Sequence, residues 1–143
     1  MLLSKERRDF MKGIKLAIIG SGSTYTPELI EGVINKRQVL PITEIVLMDI
    51  DDEKLNIVGG LVQRMIASSK MPCKVVLTKS LDEALLQADF VLCQIRVGKL
   101  PARVLDERIP LKYDLIGQET NGIGGFFKGM RTIPVMMDIA ERM

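Results

Sequence analysis

The stretch Lys15-Leu-Ala-Ile-Ile19, running straight into Gly20-Ser-Gly-Ser-Thr-Tyr-Thr-Pro27, admits few folds. An apolar run of strand length ends in two glycines, and a helix start follows. Gly20 permits a sharp turn after the strand. Gly22 has no side chain, so a pyrophosphate can approach its backbone. The next helix would aim its free N–H groups at that phosphate. Thr26 reads as the N-cap, Pro27 suits the first helical position, and Glu28 suits the positive end of the helix dipole. The stretch predicts the phosphate turn of a dinucleotide-binding βαβ unit, with Gly20, Ser21, Gly22, Ser23 and Thr24 as cofactor-binding residues. The pattern G-x-G-x-x-G is incomplete, because Tyr25 stands where the third glycine is expected. Helix and strand should therefore sit slightly apart, or the turn should be reshaped. Alone, G-x-G also fits an ordinary strand–turn–helix corner.

The rest of the chain supplies context. Strands are predicted over 14–19, 44–48, 73–77 and 89–94. Helices are predicted from Pro27 to Lys36, from Asp51 or Asp52 to Lys70, and from a capping box at Ser80-Leu-Asp-Glu83. A polar helix over 102–115 and a glycine-rich loop over 117–125 follow. A last helix over 126–143 should be kinked at Pro134. Strands alternating with helices predict an α/β, doubly wound, parallel sheet with right-handed crossovers, Rossmann-like. Only about four strands are visible where a full dinucleotide-binding sheet has six, so the sheet is expected to be incomplete. Residues 1–13 read as a charged, flexible extension and residues 14–143 as the NAD-binding, Rossmann-like domain.

At 143 residues, 47% apolar, the chain suits one packed domain. A net charge of +2, few aromatics and no Trp argue against nucleic acid. No run approaches a membrane span and no signal peptide precedes the charged Ser4–Asp9 segment, so a cytoplasmic protein is expected. Cys73 and Cys93 lack C-x-x-C spacing, sit in predicted strands and read as buried, reduced thiols. There is no histidine, so chemistry within the chain must use Asp, Glu, Lys, Tyr or Cys.

Asp49 ends the second predicted strand, one βα step beyond Gly22. A carboxylate there can take both hydroxyls of an adenosine ribose, and alternatively can cap the following helix. With Asp51, Asp52 and Glu53 beside it, it would repel a 2′-phosphate, which favours NAD over NADP. Arg96 and Arg103 follow the fourth strand, where guanidinium groups suit a phosphate or carboxylate on a substrate. Two solvated arginines are the plainer alternative. Glu119, in Gln118-Glu-Thr-Asn-Gly122, can act as a base or tune one; a turn rich in turn formers is the alternative. Asp106-Glu107-Arg108, Lys12, Lys79 and Lys99 read as solvated charge. Met130, Met136, Met137 and Met143 read as core or subunit-interface packing, and Tyr113 as packing.

Taken together, Gly20–Glu28, Gln94-Ile-Arg-Val-Gly98, Pro101-Ala-Arg103, Leu105–Leu111, Gly117-Gln-Glu-Thr-Asn-Gly122 and Met130-Arg-Thr-Ile-Pro134 resemble the family 4 glycoside hydrolases. The nearer likeness is to the 6-phospho-β-glucosidases among them, and it covers essentially everything after Gly13. Tyr25 in place of glycine is ordinary in that family. The resemblance implies a fold similar to lactate and malate dehydrogenases. It also implies cleavage of sugar 6-phosphate glycosides with NAD and a divalent metal, commonly manganese, outside the two-carboxylate scheme. Hydride leaves the sugar C3, a tyrosine takes the C2 proton, the aglycone departs, water adds and the hydride returns. Position by position, Gly20, Ser21, Gly22, Ser23 and Asp49 match the NAD site. Arg103 matches a substrate-binding arginine with Arg96 beside it, and Glu119 a glutamate that raises the basicity of the tyrosine. The metal-binding Cys and His, the catalytic Asp and Tyr and a substrate Asn belong to later segments, so this chain alone is expected to bind NAD and not to hydrolyse glycosides. A dimer or tetramer is expected.

Two rivals stand beside this reading. A 2-hydroxyacid dehydrogenase of the same fold would show net NADH formation. A non-catalytic NAD-sensing module would be complete as it is.

Overall fold

The structure is a computed structural model and describes residues 13–143. The expected N-terminal extension, apart from Gly13, and Lys12 lie outside the described residues. The elements run β1 (Ile14–Ile19), α1 (Thr26–Asn35), β2 (Ile42–Met48), α2 (Asp52–Ser69), β3 (Lys74–Thr78), α3 (Leu81–Leu85), β4 (Phe90–Cys93), α4 (Lys99–Leu111) and α5 (Gly122–Arg142). They fall into two compact units, one ending at Gln94 and one spanning Ile95–Met143.

In the first unit the four strands are parallel and ordered β3-β2-β1-β4. Ile18 lies opposite Leu47 on one side and Leu92 on the other. Successive side chains point to opposite faces. Leu16, Ile18, Ile45 and Leu47 therefore share one face, where Ile30 and Val33 of α1 and Leu55, Val62 and Ile66 of α2 join them in one core. Ala17, Ile19, Val46 and Met48 take the opposite face and are buried too. On that side α3 packs on β1 and β2 with Ala84 and Leu85 buried. Burial on both faces is why these strands read as unbroken apolar runs. Each fully buried aliphatic side chain stabilises the fold by about 1.5–3 kcal/mol relative to exposure. The chain leaves β3 at one edge and re-enters beyond β1, so the strand order reverses between β1 and β4. A crevice at the carboxyl ends of such strands is where open α/β sheets bind ligands.

Local signals set most boundaries. Asp51 caps α2, accepting from the Lys54 amide at 3.3 Å. Ser80 caps α3, accepting from the Glu83 amide at 3.3 Å. The return bond of the capping box is relayed: the Thr78 hydroxyl donates to Glu83 and accepts from the Ser80 amide.

Several expectations are corrected. Thr26 is not the N-cap; Tyr25 is, and the Thr26 hydroxyl turns back to donate to the Ser21 carbonyl at 2.8 Å. Ile42 pairs with Ile14, so β2 begins two residues before the expected start at Glu44. Cys73 precedes β3, and both thiols are half-buried rather than buried. In the second unit α4 begins at Lys99 and ends at Leu111, and Gly124 and Gly125 lie inside α5 rather than in a loop. The helix α5 runs through Pro134. Tyr113 is exposed, as are Met130, Met136, Met137 and Met143, so none of them is core packing here. Among the described residues no helix is long and apolar enough to cross a membrane.

Candidate functional site

The first unit's site is the turn between β1 and α1. Gly20 bends it with φ +81°. The amides of Gly20 and Ser21 donate to the Met48 carbonyl at 2.8 and 3.0 Å, tying the turn to the end of β2. The Gly22 amide donates to Asp49 Oδ2 at 2.8 Å, and the Asp51 amide to Asp49 Oδ1 at 2.9 Å. Asp49 therefore faces the turn from the end of β2, and one carboxylate joins the turn to the start of α2. It is not the side-chain cap of α2; Asp51 is.

The reason for glycine at 22 is now specific. A Cβ there would lie 2.8 Å from Asp49 Oδ2 and 2.8 Å from Lys54 Cβ. The space a side chain would fill holds the Asp49 carboxylate. The turn is also less bare than expected. Ser23 N donates to the Gly20 carbonyl, Tyr25 N to Ser23 Oγ and Thr26 N to the Ser23 carbonyl. Among the described residues the amides of Thr24 and Glu28 are left open at the start of α1, where the helix dipole is positive. Ser21 is 1% exposed, yet its Oγ has no partner, and neither has Gln94 Oε1 beside the turn. Gln94 is held there by its amide on the Ile19 carbonyl at 2.8 Å. Two buried polar atoms thus stand without a protein partner near the start of α1.

The second unit gathers the other predicted residues. Arg96 Nη1 meets Glu119 Oε1 at 2.6 Å and Arg103 Nη1 meets Glu119 Oε2 at 3.2 Å. Arg103 also donates from Nε to Glu107 at 2.7 Å. Both arginines thus converge on Glu119 and are not solitary solvated charges. Lys128, not foreseen, adds a third cation at 3.3 Å. Burial works to raise the Glu119 pKa, but the Lys128 hydrogen bond and the charges of Arg96, Lys128 and Arg103 outweigh it and hold the carboxyl below its ordinary value. Glu119 is therefore a fixed anion and a poor proton acceptor. The Arg103 guanidinium is held charged by its hydrogen bond to Glu107 and by the charge of Glu119.

One element of the expected solvated charge is not solvated. Asp106 is 3% exposed and takes a two-pronged bond from Arg131, at 2.8 and 2.6 Å. Asp106 and Pro110 are the buried residues of α4, one turn apart, but the sequence carried no signal that marks Asp106, Lys128 or Arg131. The loop bearing Glu119 is held by close packing. A Cβ on Gly117 would fall 1.8 Å from the Glu107 carbonyl oxygen, and one on Gly124 would fall 2.0 Å from that of Gln118. Among the described residues no three His, Cys, Asp or Glu side chains come together to hold a metal.

The parallel sheet, glycine turn and acidic end of β2 define a Rossmann-like α/β protein. Residues 15–143 match the sequence profile of the Family 4 glycosyl hydrolases, and the chain belongs to that family. It is 56% identical over 132 residues to a protein of Bacillus subtilis named "Probable 6-phospho-beta-glucosidase", which covers 91% of this chain and 30% of that protein. It is 53% identical over 130 residues to a 6-phospho-beta-glucosidase of Escherichia coli, covering 90% and 29%. The 6-phospho-beta glucosidase of Thermotoga maritima, solved with manganese, NAD+ and glucose-6-phosphate, superposes with a TM-score of 0.85 at 40% identity, over 90% of this chain and 30% of that one. The chain thus spans about 30% of the length of the relatives it matches.

Proposed function

We propose that this chain is the NAD-binding part, residues 14–143, of an enzyme that hydrolyses 6-phospho-β-glucosides, such as phosphorylated cellobiose-type disaccharides, with NAD and manganese. The observation that carries the reading is the Asp49 carboxylate, seated against the Gly22 amide at 2.8 Å beside an orphaned, buried Ser21 Oγ. These residues fit the nucleotide. Asp49 takes the ribose hydroxyls; Gly20, Ser21, Gly22 and Ser23 shape the turn with their amides bonded inside the protein, and the open amides of Thr24 and Glu28 meet the diphosphate. Asp51, Asp52 and Glu53 disfavour a 2′-phosphate by like charge. When bound, NAD supplies reversible acceptance of a hydride from the sugar.

In the second unit Arg96 and Arg103 hold the anionic sugar phosphate. Glu119 stays ionised between its cations. A fixed negative charge disfavours phenolate, so a tyrosine placed near it becomes a stronger base. Manganese has no ligand set among the described residues. The names and contents of the relatives support the substrate class. A dimer or tetramer and a cytoplasmic location belong to the same proposal; the exposed methionines of α5 support self-association.

Calorimetric titration tests the nucleotide reading. NAD should bind well ahead of NADP, and Asp49→Ala should weaken NAD by about tenfold or more, the loss of charge-assisted hydrogen bonds worth about 1.5–3 kcal/mol. Equal affinity for the two nucleotides would remove Asp49 from its role. Hydrolysis by the whole enzyme without net NADH separates it from a dehydrogenase.

A further inference from the structure

Glu119 is held from two helices. Arg103 of α4 reaches it at 3.2 Å and Lys128 of α5 at 3.3 Å. Three residues further along each helix stands a second pair, Asp106 and Arg131. Residues three apart share a helix face and are near neighbours. The two sets of contacts are therefore adjacent rungs between α4 and α5.

The rungs differ in stiffness. Lys128 is a point charge on a flexible stem, whereas the Asp106–Arg131 fork fixes both distance and plane. Arg131 Nη1 also donates to the Phe127 carbonyl at 3.2 Å, which ties the fork to its own helix. The α4 backbone at the fork is itself a seat for the Glu119 loop. The Asp106 carbonyl oxygen would lie 2.9 Å from a Cβ on Gly124, and that of Glu107 crowds Gly117. The reaction assigned above makes no use of the Asp106 carboxylate, although it is buried.

We propose that Asp106 and Arg131 are positioning residues for Glu119: their two-pronged pair sets how α4 lies along α5, and thereby the distances at which Arg103 and Lys128 grip the Glu119 carboxylate. The inference rests on reading Glu119 as a functional carboxylate, but its test needs neither nucleotide nor substrate.

The test is a carbon-13 NMR titration of the Glu119 carboxyl in the full chain. Arg96, Arg103 and Lys128 are the cations that act on it, and Arg131 is not among them. Arg131→Lys keeps the charge and loses the fork, and Asp106→Asn keeps the shape and loses the anion. Arg131→Lys should move the Glu119 midpoint upward, towards the ordinary carboxylate value; Asp106→Asn also removes a neighbouring anion, which acts in the opposite direction, so its upward shift should be smaller. In a Lys128→Met background the Arg131→Lys shift should shrink, because the two changes act through one contact. An unmoved midpoint in folded Arg131→Lys overturns the proposal. So does loss of fold in both single variants, which would make the pair a structural brace and nothing more. Failure to bind NAD would sink the functional reading and leave this titration as it stands.

Discussion

Gly22→Ala puts the geometry of the phosphate turn to a direct test. The new methyl would start 2.8 Å from Asp49 Oδ2, where ordinary contact begins at 3.4 Å, so the carboxylate must retreat by about 0.6 Å. That stretches the 2.8 Å bond to the residue 22 amide past the upper limit of about 3.2 Å for a sound N–H···O bond. Lys54 Cβ, also at 2.8 Å, is rooted in the backbone of α2 and cannot swing aside. Crowding costs about 1–3 kcal/mol and an unmade part-buried bond about the same. One methyl causes both, so they overlap, and we expect a loss of about 2–3 kcal/mol. At about 3 °C per kcal/mol for a chain near this size, melting followed by circular dichroism should fall by about 6–9 °C. Gly60→Ala is the control. Its methyl meets only Arg64 Nη1, at an ordinary 3.5 Å, and it should hold stability or raise it by up to about 1 kcal/mol through helix propensity. NAD affinity should fall with Gly22→Ala and stay with Gly60→Ala. If Gly22→Ala melts with the parent, or Gly60→Ala falls as far, the seat assigned to Asp49 is wrong.

Other outcomes follow from the same structure. Gly117→Ala sets a methyl 1.8 Å from a backbone carbonyl that cannot yield, so the Glu119 loop should be displaced, seen as changed amide shifts over residues 117–121. Glu119 and Asp106 both have lowered pKa values, Glu119 by its cations against the opposing effect of burial and Asp106 chiefly by its hydrogen bonds to Arg131. The folded chain thus binds fewer protons than the unfolded one. Their contribution is complete above about pH 4, the unfolded carboxylate range, and drains as pH falls through the lower folded values; urea midpoints measured from pH 6 to pH 2 should drop in that window. Burial first, then the Glu44 charge, pushes the Cys73 thiol up to about 11, so its alkylation at pH 8 should run about tenfold slower than that of a free thiol, the scarcer thiolate being partly offset by its greater nucleophilicity.

The apolar runs, the caps at Asp51 and Ser80 and the alternation of strand with helix are local signals, and the sequence alone determined the parallel α/β fold from them. The turn at Gly20–Thr24 and the acidic end of β2 were legible for the same reason, since each depends on residues close along the chain. What glycine at 22 makes room for was not legible, because the carboxylate that fills its space arrives from 27 residues away. The Asp106–Arg131 pair, 25 residues apart, turned apparent surface charge into a buried clamp only when α4 and α5 met. Lys128 joined Glu119 by the same packing, and Tyr113 and the α5 methionines, apolar by type, were left outside it. Periodicity and capping are written over one or two helical turns. Which charge is buried, and against which partner, is decided by pairs that only tertiary packing brings together, because a buried carboxylate is tolerated solely where its counter-ion can reach it.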